Sequence, residues 1–344
     1  MRARTLAVGG LGAWAAARAL RARRRVSFRG RTVVISGGSR GLGLLLARRL
    51  AAEGARLALL ARTPEDLEAA ADELRQRHGA SVLAVPCDVR DSAAVGDAVR
   101  QTVAELGRPD VLVHDAGVIE VGPAEHMDRR DYEEAMDVHF WGAYHLTEAV
   151  RPYLPRDGSA RIGYVSSIGG RVAVPHLGPY SASKHALVGY ADAVRAESAA
   201  DGVRVTTITP GLMRTGSHPN AVVKGRHRKE FAWFAIADAN PLLSMDGGRA
   251  ADKILDALRH GDPALTLTLP AKLAAALDGV APGLTGQIMK AAERLLPDAT
   301  GPEGDRRRAG WDAFSALAPS VLTRPADLET AENNELRGHE PPAV

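Results

Sequence analysis

A short β-branched run, Thr32-Val-Val-Ile-Ser36, is followed at once by four glycines within seven residues: Gly37, Gly38, Gly41 and Gly43. Leu44-Leu-Leu-Ala-Arg-Arg-Leu50 then carries helical periodicity through to Glu53. Strand, glycine turn and helix in immediate succession leave few folds open. The glycines let the backbone approach a pyrophosphate. The helix N-terminus turns N–H donors and a positive potential toward the same place. The turn is therefore expected to hold a dinucleotide, the alternative being a tight strand-to-helix turn without a ligand.

The rest of the chain repeats this alternation. Strands are expected near 32–36, 56–61, 81–85, 110–114, 161–166, 203–208 and 265–269. Helical stretches fall near 41–53, 64–78, 91–106, 131–154, 180–200 and 249–260. That order predicts an α/β fold, a doubly wound parallel sheet of the Rossmann type with about seven strands. Hydrophobic residues make up 45% of the chain, enough to cover both faces of such a sheet. The expected division is an apolar and Arg-rich leader over 1–28, a catalytic domain over 29–270, a helical extension over 271–297 and a poorly ordered tail over 298–344.

A second constellation lies in Gly178-Pro-Tyr-Ser-Ala-Ser-Lys184. Tyr180 and Lys184 are four apart, so on a helix they share one face. An ammonium there is expected to stabilise a phenolate and bring Tyr180 toward use as a general acid/base. Alone, Tyr-x-x-x-Lys also describes many surface helices; the glycine turn upstream favours the chemical reading.

Gly37-x-x-x-Gly41-x-Gly43 resembles the fingerprint of the short-chain dehydrogenase/reductase family in its classical form, which usually has Thr where this chain has Ser36. Val111-Leu-Val-His-Asp-Ala-Gly117 is similar to that family's fourth strand, ending in Asn-Asn-Ala-Gly, with His114 and Asp115 replacing both asparagines. Tyr164-Val-Ser-Ser167 resembles the fifth strand and its catalytic serine, and Ser167 precedes Tyr180 by 13 residues, the family's usual interval. Pro210-Gly211 with Thr215 resembles the segment that holds the nicotinamide carboxamide. The likeness runs from about Arg29 to about Gly261. It implies cofactor contacts from Gly37, Ser39, Arg40, Gly41, Leu42 and Gly43, from Asp88 and Val89 beside the adenine, and from Asp115, Ala116 and Gly117. It also implies roles for Ser167, Tyr180 and Lys184 in catalysis, with Lys184 on the nicotinamide ribose. The family completes its tetrad with an asparagine, where this chain has His139. A proton relay through imidazole and a plain packing role both stand, and a relay would add a titration near neutrality.

The second strand ends in Ala61 and Arg62, without the carboxylate that binds an NAD ribose. Arg62, with Arg40 in the turn, suits a 2′-phosphate, so NADP(H) is the expected cofactor. After Thr215, a basic run including Lys224, Arg226, Arg228 and Lys229 precedes Phe231-Ala-Trp-Phe234. This is the family's lid region, and either the aromatics meet an apolar substrate or they pack on the core.

A single cysteine, Cys87, excludes an internal disulfide and reads as a small buried hydrophobe. The histidines have no metal-ligand spacing. A reducing, cytoplasmic setting fits. Residues 1–31 hold nine arginines and no acid, so the net charge of +3 becomes −6 for the remainder. That balance argues against nucleic acid as a partner. Thr5–Ala17 is apolar but only 13 residues long, short for a span of about 20. With the arginines after it, it predicts a short anchor or interfacial helix on the cytoplasmic face of a membrane; a leader without a membrane role is the alternative. The apolar periodicity of 273–277 and 288–296 leaves the body, a bilayer surface or a second copy in a homo-oligomer as its partner. The expected function is NADP(H)-dependent interconversion of an alcohol and a ketone or aldehyde, on a lipophilic small molecule. The rival readings are a 3-oxoacyl thioester reductase and a non-catalytic NADP-binding scaffold or redox sensor.

Overall fold

The computed structural model describes residues 16–336 and 338–340. Strand β1 (Thr32–Ser36) is buried along its whole length, as a central parallel strand must be. Its side chains alternate between two cores. Val33 and Ile35 join one hydrophobic cluster, and Val34 joins the other. Helix α1 (Gly41–Glu53) buries Leu42, Leu44, Leu45, Leu46 and Leu50 in the first cluster. Each such leucine contributes about 1.5–3 kcal/mol of burial. Gly54, in the left-handed conformation, ends the helix and starts the turn into β2 (Arg56–Ala61).

The alternation continues through α2 (Pro64–His78), β3 (Val82–Pro86), α3 (Ser92–Leu106) and β4 (Val111–His114). The Asp91 carboxylate caps α3 by accepting from the Ala93 and Ala94 amides. Helix α4 (Arg129–Met136) passes through a π-turn (Asp137–Trp141) into α5 (Gly142–Val150). Then come β5 (Arg161–Val165), α6 (Gly178–Glu197), β6 (Arg204–Thr209), α7 (His227–Ala239), α8 (Gly247–His260) and β7 (Ala264–Thr266). The seven strands run parallel in the order β7-β6-β5-β4-β1-β2-β3. Chain order reverses between β1 and β4, so a crevice opens there at the carboxyl ends of the strands. Beyond the sheet, α9 (Leu269–Val280) and α10 (Pro282–Glu293) bury only Ala271 and Thr285, and α11 (Arg324–Glu332) lies near the C-terminus.

Two expected boundaries change. The described part of the tail after Pro297, residues 298–336 and 338–340, is folded on the body rather than poorly ordered. Arg307 pairs with Glu134 at 2.7 Å and with Asp131 at 3.3 Å. Phe314 packs on Phe231, with ring centroids 5.4 Å apart. Helix α11 is held by Asp327, which bonds His218 at 2.9 Å and Thr323 at 2.6 Å. The polar composition that suggests disorder is spent on buried partners.

The leader also changes. Residues 1–15, which hold most of the apolar run, lie outside the described residues. The arginine-rich stretch after them is part of the body: Arg21 pairs with Asp256 at 2.6 Å and Asp262 at 2.7 Å, and Phe28 is fully buried. Buried Arg161 donates to the Arg24 carbonyl at 2.6 Å. Among the described residues, no helix is long and apolar enough to cross a membrane.

Candidate active site

The crevice is a cavity of about 360 Å³. At one end lies the glycine turn. A Cβ at Gly43 would drive into the Gly37 carbonyl, so only glycine lets α1 start this close to β1. Gly37, Ser39, Arg40, Gly41 and Leu42 line the cavity, whereas Gly43 does not. Arg62, Asp88 and Val89 line the same end. Arg62 is exposed, while Asp88 is held by Arg90 at 2.5 Å, which keeps its carboxyl below the usual range.

Asp115, Ala116 and Gly117, at the end of β4, line the middle of the cavity. The Asp115 carboxyl faces the Gly43 amide, which favours its ionised form. Desolvation raises the Asp115 pKa, and Lys184 opposes that shift. His114 is fully buried with Nδ1 2.9 Å from Ser36 Oγ, and burial pushes it down to about 3, so it is neutral. Pro210, Gly211 and Thr215, after β6, close the opposite wall.

The reactive groups meet at the other end. Ser167 leaves β5 extended, and its Oγ accepts from the Gly169 amide at 3.1 Å. Tyr180 stands in the first turn of α6, and Ser167 opposite it favours the ionised phenol. Lys184, one turn on, donates to the Val165 carbonyl at 2.9 Å and lies 5.6 Å from the Tyr180 ring centre. The helix spacing predicts that Lys184 lowers the phenol; the structure gives the opposite net sign. Desolvation in the cavity wall outweighs Ser167, and Asp115 and Glu120 add to it, so Tyr180 is pushed up to about 12. The same burial lowers Lys184, partly offset by Asp115.

His139 sits in the π-turn with both ring nitrogens engaged. Nε2 accepts from the Val118 amide at 3.1 Å. Nδ1 therefore carries the proton and donates to Ser183 Oγ at 2.7 Å, and Ser183 in turn donates to the Tyr180 carbonyl at 2.9 Å. Its ring packs edge-on against Tyr180, with centroids 5.6 Å apart. Burial, followed by Lys184, holds it well below the ordinary histidine range, so the expected titration near neutrality is absent. Ser183, inside the Tyr-x-x-x-Lys segment, is a contact that sequence spacing does not single out.

The lid region also departs from one of its two readings. Phe231 and Phe234 are buried in separate small cores, and neither lines the cavity. Lys224 is buried and bonds Asp131 at 2.6 Å and Asp128 at 3.2 Å, so it is not available to an outside anion. Instead Val118, Ile119, Met213, Ala221 and Val222 form the apolar wall near Tyr180. A residue that sequence analysis misses altogether, Glu335, enters the cavity at the glycine turn.

A parallel sheet with a glycine turn at its switch point and Ser, Tyr and Lys across the crevice defines a dinucleotide-dependent oxidoreductase. Residues 31–223 match the short chain dehydrogenase family. The chain is similar to dehydrogenase/reductase SDR family member 7B of Danio rerio, 34% identical over 243 residues, covering 69% of this chain and 77% of the relative. An uncharacterized oxidoreductase of Mycobacterium bovis is 31% identical over 282 residues, covering 81% of this chain and 78% of the relative. A solved dehydrogenase/reductase from Sinorhizobium meliloti 1021 is 30% identical with a TM-score of 0.63, covering 72% of this chain and 97% of that one. This chain belongs to the short chain dehydrogenase family of oxidoreductases. The family binds a nicotinamide dinucleotide, and the glycine turn, the Asp88–Val89 pair and the Pro210–Thr215 wall around one crevice fit such a group.

Proposed function

We propose that the protein is an NADP(H)-dependent oxidoreductase that interconverts an alcohol and a ketone or aldehyde on a lipophilic small molecule. The observation that carries this reading is that Ser167, Tyr180 and Lys184 line one cavity together with the glycine turn. When bound, the dinucleotide supplies or accepts the hydride. The chain's own residues manage the oxygen and its proton.

Tyr180, pushed up to about 12, carries its proton at neutral pH, the state needed to protonate a carbonyl oxygen. Ser167 Oγ bonds the same oxygen and stabilises charge as it develops there. Lys184, fixed on the Val165 carbonyl, keeps a positive charge beside Tyr180 and favours its phenolate once the proton has left. His139, locked as one neutral tautomer, orients α6 through Ser183 and acts as a positioning residue. The apolar wall near Tyr180 supports a lipophilic substrate. Exposed Arg62 at the cavity's adenosine end supports NADP(H) over NAD(H).

The test is NADPH and NADH consumption by purified protein across ketones, aldehydes and quinones of graded hydrophobicity. Turnover that grows with apolar size and prefers NADPH is the expected result. Tight NADPH binding with no turnover on any carbonyl would favour a scaffold instead.

A further inference from the structure

The C-terminal segment closes over the glycine turn. After α11, Asn334 adopts a left-handed conformation, φ +58°, and turns the chain into the cavity. The Asn333 carbonyl accepts from the Gly41 amide at 2.9 Å, which uses a donor at the N-terminus of α1. Asn334 donates to the Ser39 carbonyl at 2.9 Å and to the Asp66 carbonyl at 3.2 Å. Glu335 is buried, 2% exposed. Its carboxylate lies 3.4 Å from Arg40 Nε and accepts from Asn220 Nδ2 at 2.7 Å. A Cβ at Gly41 would come within 2.5 Å of Glu335 Oε1, so the carboxylate fills the space that this glycine keeps open.

A carboxylate on a helix N-terminus, paired with an arginine, meets the same donors that a phosphate would use. We propose that residues 333–335 form an autoinhibitory strap. In it the Glu335 carboxylate stands in for a cofactor phosphate and must leave when the dinucleotide binds. The inference rests on the reading of the glycine turn as the dinucleotide site. Two anions cannot share one set of donors without strong repulsion, and Asp115 already places a second carboxyl group nearby, its pKa raised further by Glu335. The strap has a firm anchor. Within α11, Thr330 Oγ1 donates to the Gly216 carbonyl at 3.2 Å, and Asp327 bonds His218 at 2.9 Å. Release thus involves the three residues beyond α11 while the helix stays docked. Arg40 would pass from Glu335 to the incoming phosphate, so cofactor binding and strap opening exchange one ion pair for another.

The experiment is calorimetric titration of the full-length protein and of Glu335→Gln with NADPH and with NADH, alongside amide hydrogen exchange over 324–336. Glutamine keeps the shape and a hydrogen-bonding oxygen but removes the charge. The expected result is NADPH binding at least about fivefold tighter in the variant, the scale of one terminal charge interaction. In the wild type, the amides of 333–335 are expected to exchange faster once NADPH binds. Equal or weaker binding by the variant, or slower exchange at 333–335, would overturn the strap and make the segment a lid over bound cofactor. If neither nucleotide binds either form, the dinucleotide reading falls and the strap falls with it.

Discussion

The two ends of the cavity are built in opposite ways. At the catalytic end the chemistry is local: Tyr180, Ser183 and Lys184 lie within five residues of one helix, and burial pushes the Tyr180 pKa up and that of Lys184 down. At the phosphate end the charges are paired, and the pairing is remote, with Asn334 reaching Ser39 across 295 residues. Arg40 is matched by Glu335 and Asp88 by Arg90. The difference separates two tasks. On the proposed reading, one end holds a proton in a fixed place, while the other manages the entry of an anion. Substitutions at the two ends should therefore split turnover from cofactor binding in opposite directions.

The largest effect belongs to Tyr180→Phe, which removes the ionisable hydroxyl and little else. Turnover is expected to fall at least about a hundredfold, the scale of general acid/base loss. NADPH affinity, measured by calorimetry, should stay within about twofold of wild type, since no charge or phosphate donor is lost. Near-normal turnover would break the assignment of the proton to this end.

Arg62→Asp probes the opposite end. It replaces a guanidinium that lines the cavity with a carboxylate that repels a 2′-phosphate. The ratio of NADPH to NADH Michaelis constants is expected to rise by about tenfold or more, the worth of one charge-assisted bond. Turnover at saturating cofactor should change little. An unchanged ratio would move the 2′-phosphate away from Arg62.

A third effect is one of stability. Glu120 is buried near the catalytic end, and neither carboxylate oxygen has a hydrogen-bond partner among the described residues. Burial, then Glu134, raises its pKa from 4.5 to about 8, against the opposing charge of Arg307. A carboxyl raised in the folded state contributes stability that is complete below 4.5 and is lost as pH rises through about 8. Glu120→Gln removes that dependence. The melting temperature of the variant, relative to wild type, should therefore rise between about pH 5 and about pH 9. A flat difference across that window would mean that Glu120 is ionised in the folded protein.

What the sequence determined by itself is local. The β-branched run, the glycines and the leucine periodicity of residues 32–53 specify a strand, a turn and a helix, because backbone sterics and side-chain period act over a few residues. All seven sheet strands fall within two residues of their expected positions at the N-terminal end, although β7 is shorter and gives way to α9 at Leu269. The spacing of Ser167, Tyr180 and Lys184 likewise survives, since a strand end and one helix turn fix it.

What only the tertiary structure decided depends on burial and on partners distant in sequence. Helical spacing puts Lys184 beside Tyr180, but the sign of the Tyr180 shift is set by how much water the cavity wall excludes. His139 could be read as a relay until the Val118 amide and Ser183 took both of its nitrogens. Lys224 belongs to a basic run in the sequence, and only folding brings Asp131 to it and buries it. The described part of the tail, polar enough to suggest disorder, is ordered because its anions find a buried histidine, an arginine and a helix N-terminus. No local pattern records those complementary charges, because the residues that satisfy them are supplied by folding.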